Sequence, residues 1–384
     1  MFKIKYTLSN GILTIHKDVR KIPSNAFKNC EDIVEVILPE LLLTIGKHAF
    51  CGCINIRVVK TNNRLKVIEK GAFQNCFNLL SFNIPKNVHT IGRSAFNCCY
   101  SLESPILIPQ KVKVLADSVF FNCKLIPSFI LPPNLETIGT LAFFGCSSVS
   151  SFLIPESVRK IEDFSFCHCT KITEIILPVD IEIIGKSAFS SCINLQRITF
   201  PPKVNLVEKS CFMNCEKLEQ VIFSGPILKI CSSAFTGCKM LQNIIFPEGL
   251  VKISKYAFSW CIRLENITFP QSLKKNREYA FSNCKNLKNV YFADDNLTEI
   301  HDKTFYQCDK IIIQSKKRLI EKMYGDLTIE EKRFEPKFCL SGEEFHENMP
   351  VIILKRGHFS EKEALLEWIA IRNICPFCRV NLGF

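Results

Sequence analysis

The segment Ala188-Phe189-Ser190-Ser191-Cys192-Ile193-Asn194-Leu195-Gln196-Arg197-Ile198-Thr199-Phe200-Pro201 decides the fold, because its pattern recurs along most of the chain. Thirteen of the 21 cysteines form one series: Cys30, Cys53, Cys76, Cys99, Cys123, Cys146, Cys169, Cys192, Cys215, Cys238, Cys261, Cys284 and Cys308. Ten of the twelve intervals are 23 residues and two are 24. A phenylalanine stands three residues before every member, usually after an alanine, as in Ala49-Phe50 and Ala234-Phe235. A period between about 20 and 50 residues is the signature of a solenoid or array.

Within each unit an apolar residue follows the cysteine by three, and alternation then begins, as in Leu195-Gln196-Arg197-Ile198-Thr199-Phe200. Such alternation predicts a half-buried strand. Proline often follows at once (Pro85, Pro132, Pro155, Pro178, Pro201) and ends the strand, since it has no N–H to donate. A second apolar pair such as Leu135 and Ile138 comes next, then the Ala-Phe turn, which reads as a short helix or 3₁₀ segment closing the coil. One unit cannot bury its apolar side alone, so stacking must build a continuous core of Phe, Leu, Ile and Cys. Parallel cysteine side chains keep Cβ atoms about 4.8 Å apart, whereas a disulfide prefers about 3.8 Å. The ladder is therefore expected to stay reduced, in a reducing compartment.

Composition narrows the function classes. The chain has 384 residues, 47% of them apolar and 22% charged, which argues against disorder. No apolar run approaches the roughly 18 to 20 residues that span a bilayer, and Met1-Phe2-Lys3-Ile4-Lys5-Tyr6 lacks the apolar core of a secretory signal. Lys plus Arg exceed Asp plus Glu by 41 to 27 up to residue 323, and fall short by 8 to 10 beyond it. The basic charge is dispersed: its longest run is Lys316-Lys317-Arg318, without aromatic interleaving, so nucleic acid is not the expected partner. There is no Gly-rich phosphate loop or repeated carboxylate pair, and no catalytic site is read in the repeats.

The recurring Ile-Pro, Ala-Phe and Cys-x-x-Leu signals resemble the leucine-rich repeats of the BspA-like type, over about residues 20 to 323. The resemblance implies an α/β solenoid, a right-handed array of about 13 units with a parallel sheet on one face. Adhesion, signalling and scaffolding are all served by such repeats. Ile311-Ile312-Ile313 reads as a final strand and 316–323 as a basic capping helix.

The residue between two inward strand positions must point away from the core. That row includes Leu107, Ile130, Leu153 and Ile176 in succession, and further on Ile222 and Ile245. These six are the candidate partner-binding residues, since a contiguous exposed apolar patch calls for a partner; the competing reading is that aliphatic residues merely favour strands. A polar row beside it (Ser151, Glu174, Arg197, Gln220) supplies a rim. Extra thiols at Cys51-Gly52-Cys53 near His48, at Cys98-Cys99 and at Cys167-His168-Cys169 read as buried free thiols in preference to metal ligands.

After residue 323 the period stops, 324–337 is a polar linker, and 338–384 reads as a separate small domain. Pro350-Val351-Ile352, Gly357-His358, the helix around Leu365-Leu366-Glu367-Trp368 and Cys375-Pro376-Phe377-Cys378-Arg379 resemble a degenerate RING finger or U-box of α+β type. Gly342, Arg356, Glu361 and Ala364 occupy positions where that family has ligands, which excludes two ordinary zinc sites. One zinc on His358, Cys375 and Cys378 is the metal content this resemblance allows, with Cys339 or His346 as fourth ligand; metal-free packing is the alternative. The resemblance further implies docking of a ubiquitin-conjugating enzyme on Leu340, Trp368 and Pro376. Arg379 would favour the reactive arrangement of the thioester, and catalysis would be by positioning alone.

The sequence reading is therefore a cytoplasmic repeat protein whose solenoid, residues 1–323, recruits a protein partner and whose tail is ubiquitin ligase-like. The alternative is a non-enzymatic binding, adhesion or scaffold protein with an inert tail, at the cell surface by a route without a signal peptide.

Overall fold

The computed structural model describes residues 4–292, 299–308, 310–314 and 351–355. The chain forms two compact units, Met1–Gly225 and Pro226–Phe384. Both are built from the same coil, which carries two strand rows in place of the single one read from the sequence.

In the first unit a hairpin opens the chain. Tyr6–Ser9 pairs antiparallel with Ile12–Ile15 across Asn10-Gly11, whose φ values of 48° and 78° are both left-handed, the turn that matches strand twist. Ile12–Ile15 then lies parallel to Glu35–Ile37, so the hairpin covers the first coil's open edge. The first strand row continues through Val58–Lys60, Ile106–Leu107, Phe129–Ile130, Ser151–Leu153, Glu174–Ile176, Arg197–Phe200 and Gln220–Phe223, parallel wherever the strands pair, with a break in the ladder between Phe129–Ile130 and Ser151–Leu153. It is interrupted after Val58, where Ser81 makes only an isolated bridge. The next coil carries one of the two 24-residue intervals and has Pro105, which has no N–H for the ladder.

The second row consists of two-residue strands such as Thr44–Ile45, Val67–Ile68, Thr137–Ile138 and Lys160–Ile161, parallel from coil to coil. Between the rows, each proline carbonyl accepts the N–H of the inward residue three places on: Leu135 to Pro132, Val158 to Pro155, Ile181 to Pro178. The proline thus ends one strand and opens the turn into the next. At Gly139 the coils approach so closely that a Cβ would lie 2.6 Å from the Leu115 carbonyl oxygen.

In the second unit the first row is Asn243–Ile245, Asn266–Phe269, Asn289–Phe292 and Lys310–Gln314, and the second is Lys229–Ile230, Lys252–Ile253, Lys275–Asn276 and Glu299–Ile300. The final strand read at Ile311–Ile313 is present. Val351–Lys355 pairs with it antiparallel, Ile311 opposite Leu354, so this piece of the tail extends the repeat sheet. The rest of 338–384, the linker 324–337 and the helix read at 316–323 lie outside the described residues.

The expectation of an α/β solenoid is corrected: the described residues contain strands and turns and no helix. The Ala-Phe corner is the reason. In every coil but the last, two residues of the corner, five and one before the ladder cysteine, adopt left-handed φ, for example Asn25 (60°) and Asn29 (59°), or Ser187 (53°) and Ser191 (60°). An α-helix cannot pass through such residues. Instead the corner N–H groups reach sideways: Asn25, Phe27 and Asn29 donate to the carbonyls of Lys47, Ala49 and Cys51 in the next coil. The corner is thus a third ladder. Asn, Gly and Ser are the commonest residues in these two columns; Gly and Asn tolerate left-handed φ, which costs other L residues roughly 1–2 kcal/mol.

Inside the coils the phenylalanines stack. In the first unit Phe27, Phe50, Phe73, Phe96, Phe120, Phe143, Phe166, Phe189 and Phe212 form one column, successive centroids 5.3 to 6.1 Å apart. In the second, Phe235, Phe258, Phe281 and Phe305 do the same. The ladder cysteines sit beside this column. Cys53 Sγ donates to the Phe27 carbonyl at 2.8 Å and Cys146 Sγ to the Phe120 carbonyl at 3.3 Å, with the same bond at Cys76, Cys99, Cys169, Cys192, Cys261 and Cys284. Each Phe carbonyl already accepts its own coil's cysteine N–H, as Phe27 does from Cys30. Cysteine suits this place because it is small, apolar and still able to donate.

Candidate functional site

In the first unit the side chains of the first strand row alternate. Phe152, Ile175 and Ile198 point into the core, and the residues that follow them point out. Leu107, Ile130, Leu153 and Ile176 are 54%, 57%, 80% and 62% exposed. Leu107 is in register with Ile130, and Leu153 with Ile176; across the break between the two pairs the Phe129 and Phe152 rings stack at 5.7 Å, which sets the four aliphatic residues on successive coils. Thr199 follows in the same row, then the exposed Ile222. Ile245 of the second unit is likewise exposed on its own sheet. Solvent on such a row is unfavourable at about 25 cal/mol per Å², and burial against a partner would recover it.

Two residues earlier in each strand and on the same face, Ser151, Glu174, Arg197 and Gln220 are exposed and polar. Glu174 is in register with Arg197, so opposite charges lie side by side on the rim. The arrangement offers an apolar centre with a hydrogen-bonding margin, which suits recognition of another surface. It contains no nucleophile beside a base.

The cysteine clusters are part of the core. Cys51, Cys53, Cys167 and Cys169 are buried, and Cys98 is half-buried. Burial pushes the Cys53 thiol up to about 12 and the Cys167 thiol to about 11. The fully buried Cys99, Cys146 and Cys169 are raised further by the same cause. Thiols held protonated in this way donate to carbonyls instead of offering thiolate. His48 is held below its usual range, first by burial and then by Lys70, Lys28 and Lys47, which keeps it uncharged near neutral pH. Among the described residues no group of three or more His, Cys, Asp or Glu side chains is placed to hold a metal ion, and no helix is long and apolar enough to cross a membrane.

The residues read as a docking and metal set, Leu340, Trp368, Pro376 and Arg379 with His358, Cys375, Cys378 and Cys339, lie outside the described residues. The structure also brings forward a group that strand reasoning passed over: Tyr256, Trp260 and Tyr279 stand in the left-handed corner columns. Their signal was present in the sequence, as aromatics in columns otherwise rich in Asn, Gly and Ser.

Residues 2–127, 117–241 and 205–324 match the BspA type leucine-rich repeat region, six copies of it. Among solved structures, a leucine-rich repeat protein from Bacteroides ovatus is 23% identical, with a TM-score of 0.65 over 79% of this chain and 90% of that one. A leucine-rich cell surface protein from Faecalibacterium prausnitzii is 26% identical, with a TM-score of 0.52 over 77% and 94%. The pneumococcal vaccine antigen PcpA is 16% identical, with a TM-score of 0.50 over 84% and 94%. No curated protein matches the sequence. The first and third of these likenesses bear on fold alone, and they agree with a parallel-sheet solenoid of about 13 turns. The family match spans more than half the residues, so the chain belongs to the BspA-type leucine-rich repeat family.

Proposed function

We propose that this is a non-enzymatic binding protein whose sheet face captures a protein partner through the stripe Leu107, Ile130, Leu153 and Ile176. The observation that carries the reading is the exposure of four consecutive aliphatic rungs, more than strand formation requires. Support comes from the repeat class, whose members generally bind protein partners. Ile222 and, on the second unit, Ile245 extend the same chemistry. A location at the cell surface is supported by the F. prausnitzii relative, a cell surface protein; the ladder of free thiols supports the cytoplasmic reading.

Ile130→Glu with Leu153→Glu places two carboxylates at the centre of the stripe while touching no core contact. Capture of the partner is expected to weaken at least tenfold, with the circular dichroism spectrum and unfolding midpoint unchanged. Undiminished capture would remove this face as the site. A wild-type dimer that the double variant converts to monomer would make the occupant a second copy of the chain, which also overturns the reading of a separate partner.

The ligase-like reading of the tail rests on sequence resemblance, and nothing in the repeat geometry adds to it. Incubated with activating enzyme, conjugating enzymes and ubiquitin, the full chain is expected to build no ubiquitin chains. Chain formation that Arg379→Ala abolishes would restore the ligase. Zinc on His358, Cys375 and Cys378 with Cys339 belongs to the same reading and is measured as metal per full-length chain.

A further inference from the structure

The corner face of the second unit carries a cluster that the sheet-face reading does not use. Tyr256, Trp260 and Tyr279 adopt φ values of 58°, 62° and 57°, the left-handed conformation that the corner imposes on coil after coil and that bulky L residues adopt at a cost. Asn, Ser or Gly is commonest in these two columns, as at Asn25, Asn29, Ser187 and Ser191; Leu141 and Phe164 share the left-handed φ singly, whereas here three aromatics fall on two adjacent coils. Core packing does not offset the strain here, because Trp260 is 49% exposed and Tyr256 42%.

The three aromatics converge on one groove. Tyr256 stacks on Tyr279 at 5.2 Å, and Tyr279 meets Tyr306 edge-on at 5.5 Å. With Trp260 they line an open surface groove of about 410 Å³. Its remaining lining is uncharged and rich in hydroxyls, including Ser259, Ser282 and Asn283. Ser259 and Ser282 share a 2.8 Å hydrogen bond and are almost wholly buried, which fixes the floor.

We infer that this groove binds a neutral saccharide. Aromatic faces pair with the C–H face of a pyranose ring, and hydroxyl and amide groups that both donate and accept match sugar hydroxyls that do the same. None of the lining residues is charged, and the neighbouring Lys303 is engaged by the Tyr279 ring, its Nζ 6.0 Å from the ring centroid, so a neutral ligand fits the lining itself. A proline-rich peptide, the other common occupant of aromatic grooves, presents mainly carbonyl acceptors and would leave the acceptors of this floor unmatched.

The test is isothermal titration of the full chain with soluble α-glucan, β-glucan, mannan, xylan and galactan, alongside a proline-rich peptide. At least one polysaccharide is expected to bind, and Trp260→Asn to weaken it at least tenfold. Asparagine already occupies that column at Asn29, Asn75, Asn122 and Asn214 with left-handed φ, so the variant should keep the wild-type dichroism and unfold no earlier. Absence of binding to all five, binding unchanged in Trp260→Asn, or Trp260-dependent binding of the peptide alone would overturn the inference. Ile130→Glu with Leu153→Glu is expected to leave saccharide binding intact, which separates failure of this site from failure of the sheet face.

Discussion

Phe143→Ala is expected to destabilise the protein by about 3–5 kcal/mol, the cost of emptying a large aromatic site in a packed core. Phe143 is fully buried, and four rings surround it: Phe129 at 4.6 Å, Phe152 at 4.9 Å, Phe166 at 5.3 Å and Phe120 at 6.1 Å. The phenylalanine column above and below cannot close over the gap, because the second strand row and the corner ladder fix the coil spacing at this point. In a stacked-repeat fold such a lesion also weakens coupling between neighbouring coils, so the urea transition should broaden as well as shift. Phe144 is the control. It is half-buried on the outside of the corner, against Phe121 at 4.8 Å, and Phe144→Ala should cost no more than about 1 kcal/mol. Equal losses for the two variants would contradict the phenylalanine column as the main structural element.

Raising the pH should unfold the coils steeply. The buried thiols of Cys146, Cys192 and Cys261 are displaced upward from the ordinary 9.0 by burial, and those of Cys99, Cys123 and Cys169 well upward. Below pH 9 both folded and unfolded thiols are protonated and stability is unaffected. Above it the unfolded chain releases protons that the folded one retains, so each thiol lowers stability by about 1.4 kcal/mol per pH unit until the folded value is reached. Several thiols acting together should make a domain of ordinary stability fail between about pH 10 and 11. Thiolate absorbance and loss of far-ultraviolet dichroism are expected to rise together. Thiolate appearing gradually from pH 9 with the fold intact would show that these cysteines are not sealed in the core.

Much of this architecture is legible before any coordinates. The Phe-x-x-Cys ruler identifies the coil, and alternation at Leu195 to Phe200 gives both the strand and its outward residue; Ile130 and Leu153 prove to face solvent. Two features resist such reading for physical reasons. Strands as short as Thr137–Ile138 are too brief to show alternation, so a second row reads only as an apolar pair. The Ala-Phe corner looks helical by composition, yet its structure is set by backbone handedness at positions such as Asn25 and Asn29. That information lies in a column of Asn, Gly and Ser read down the repeats and is invisible within any one of them. The tail shows the opposite limit: Val351–Lys355 joins the sheet of the last coil, a non-local pairing that local motif resemblance does not anticipate.

Carbene footprinting of the full chain, free and with its captured partner, tests recognition by the sheet face most directly. Labelling should fall at Leu107, Ile130, Leu153 and Ile176 and stay constant at Val114 and Ile183, which are exposed on the second strand row. Protection of Val114 and Ile183, with the stripe labelled as heavily as in the free chain, would contradict it.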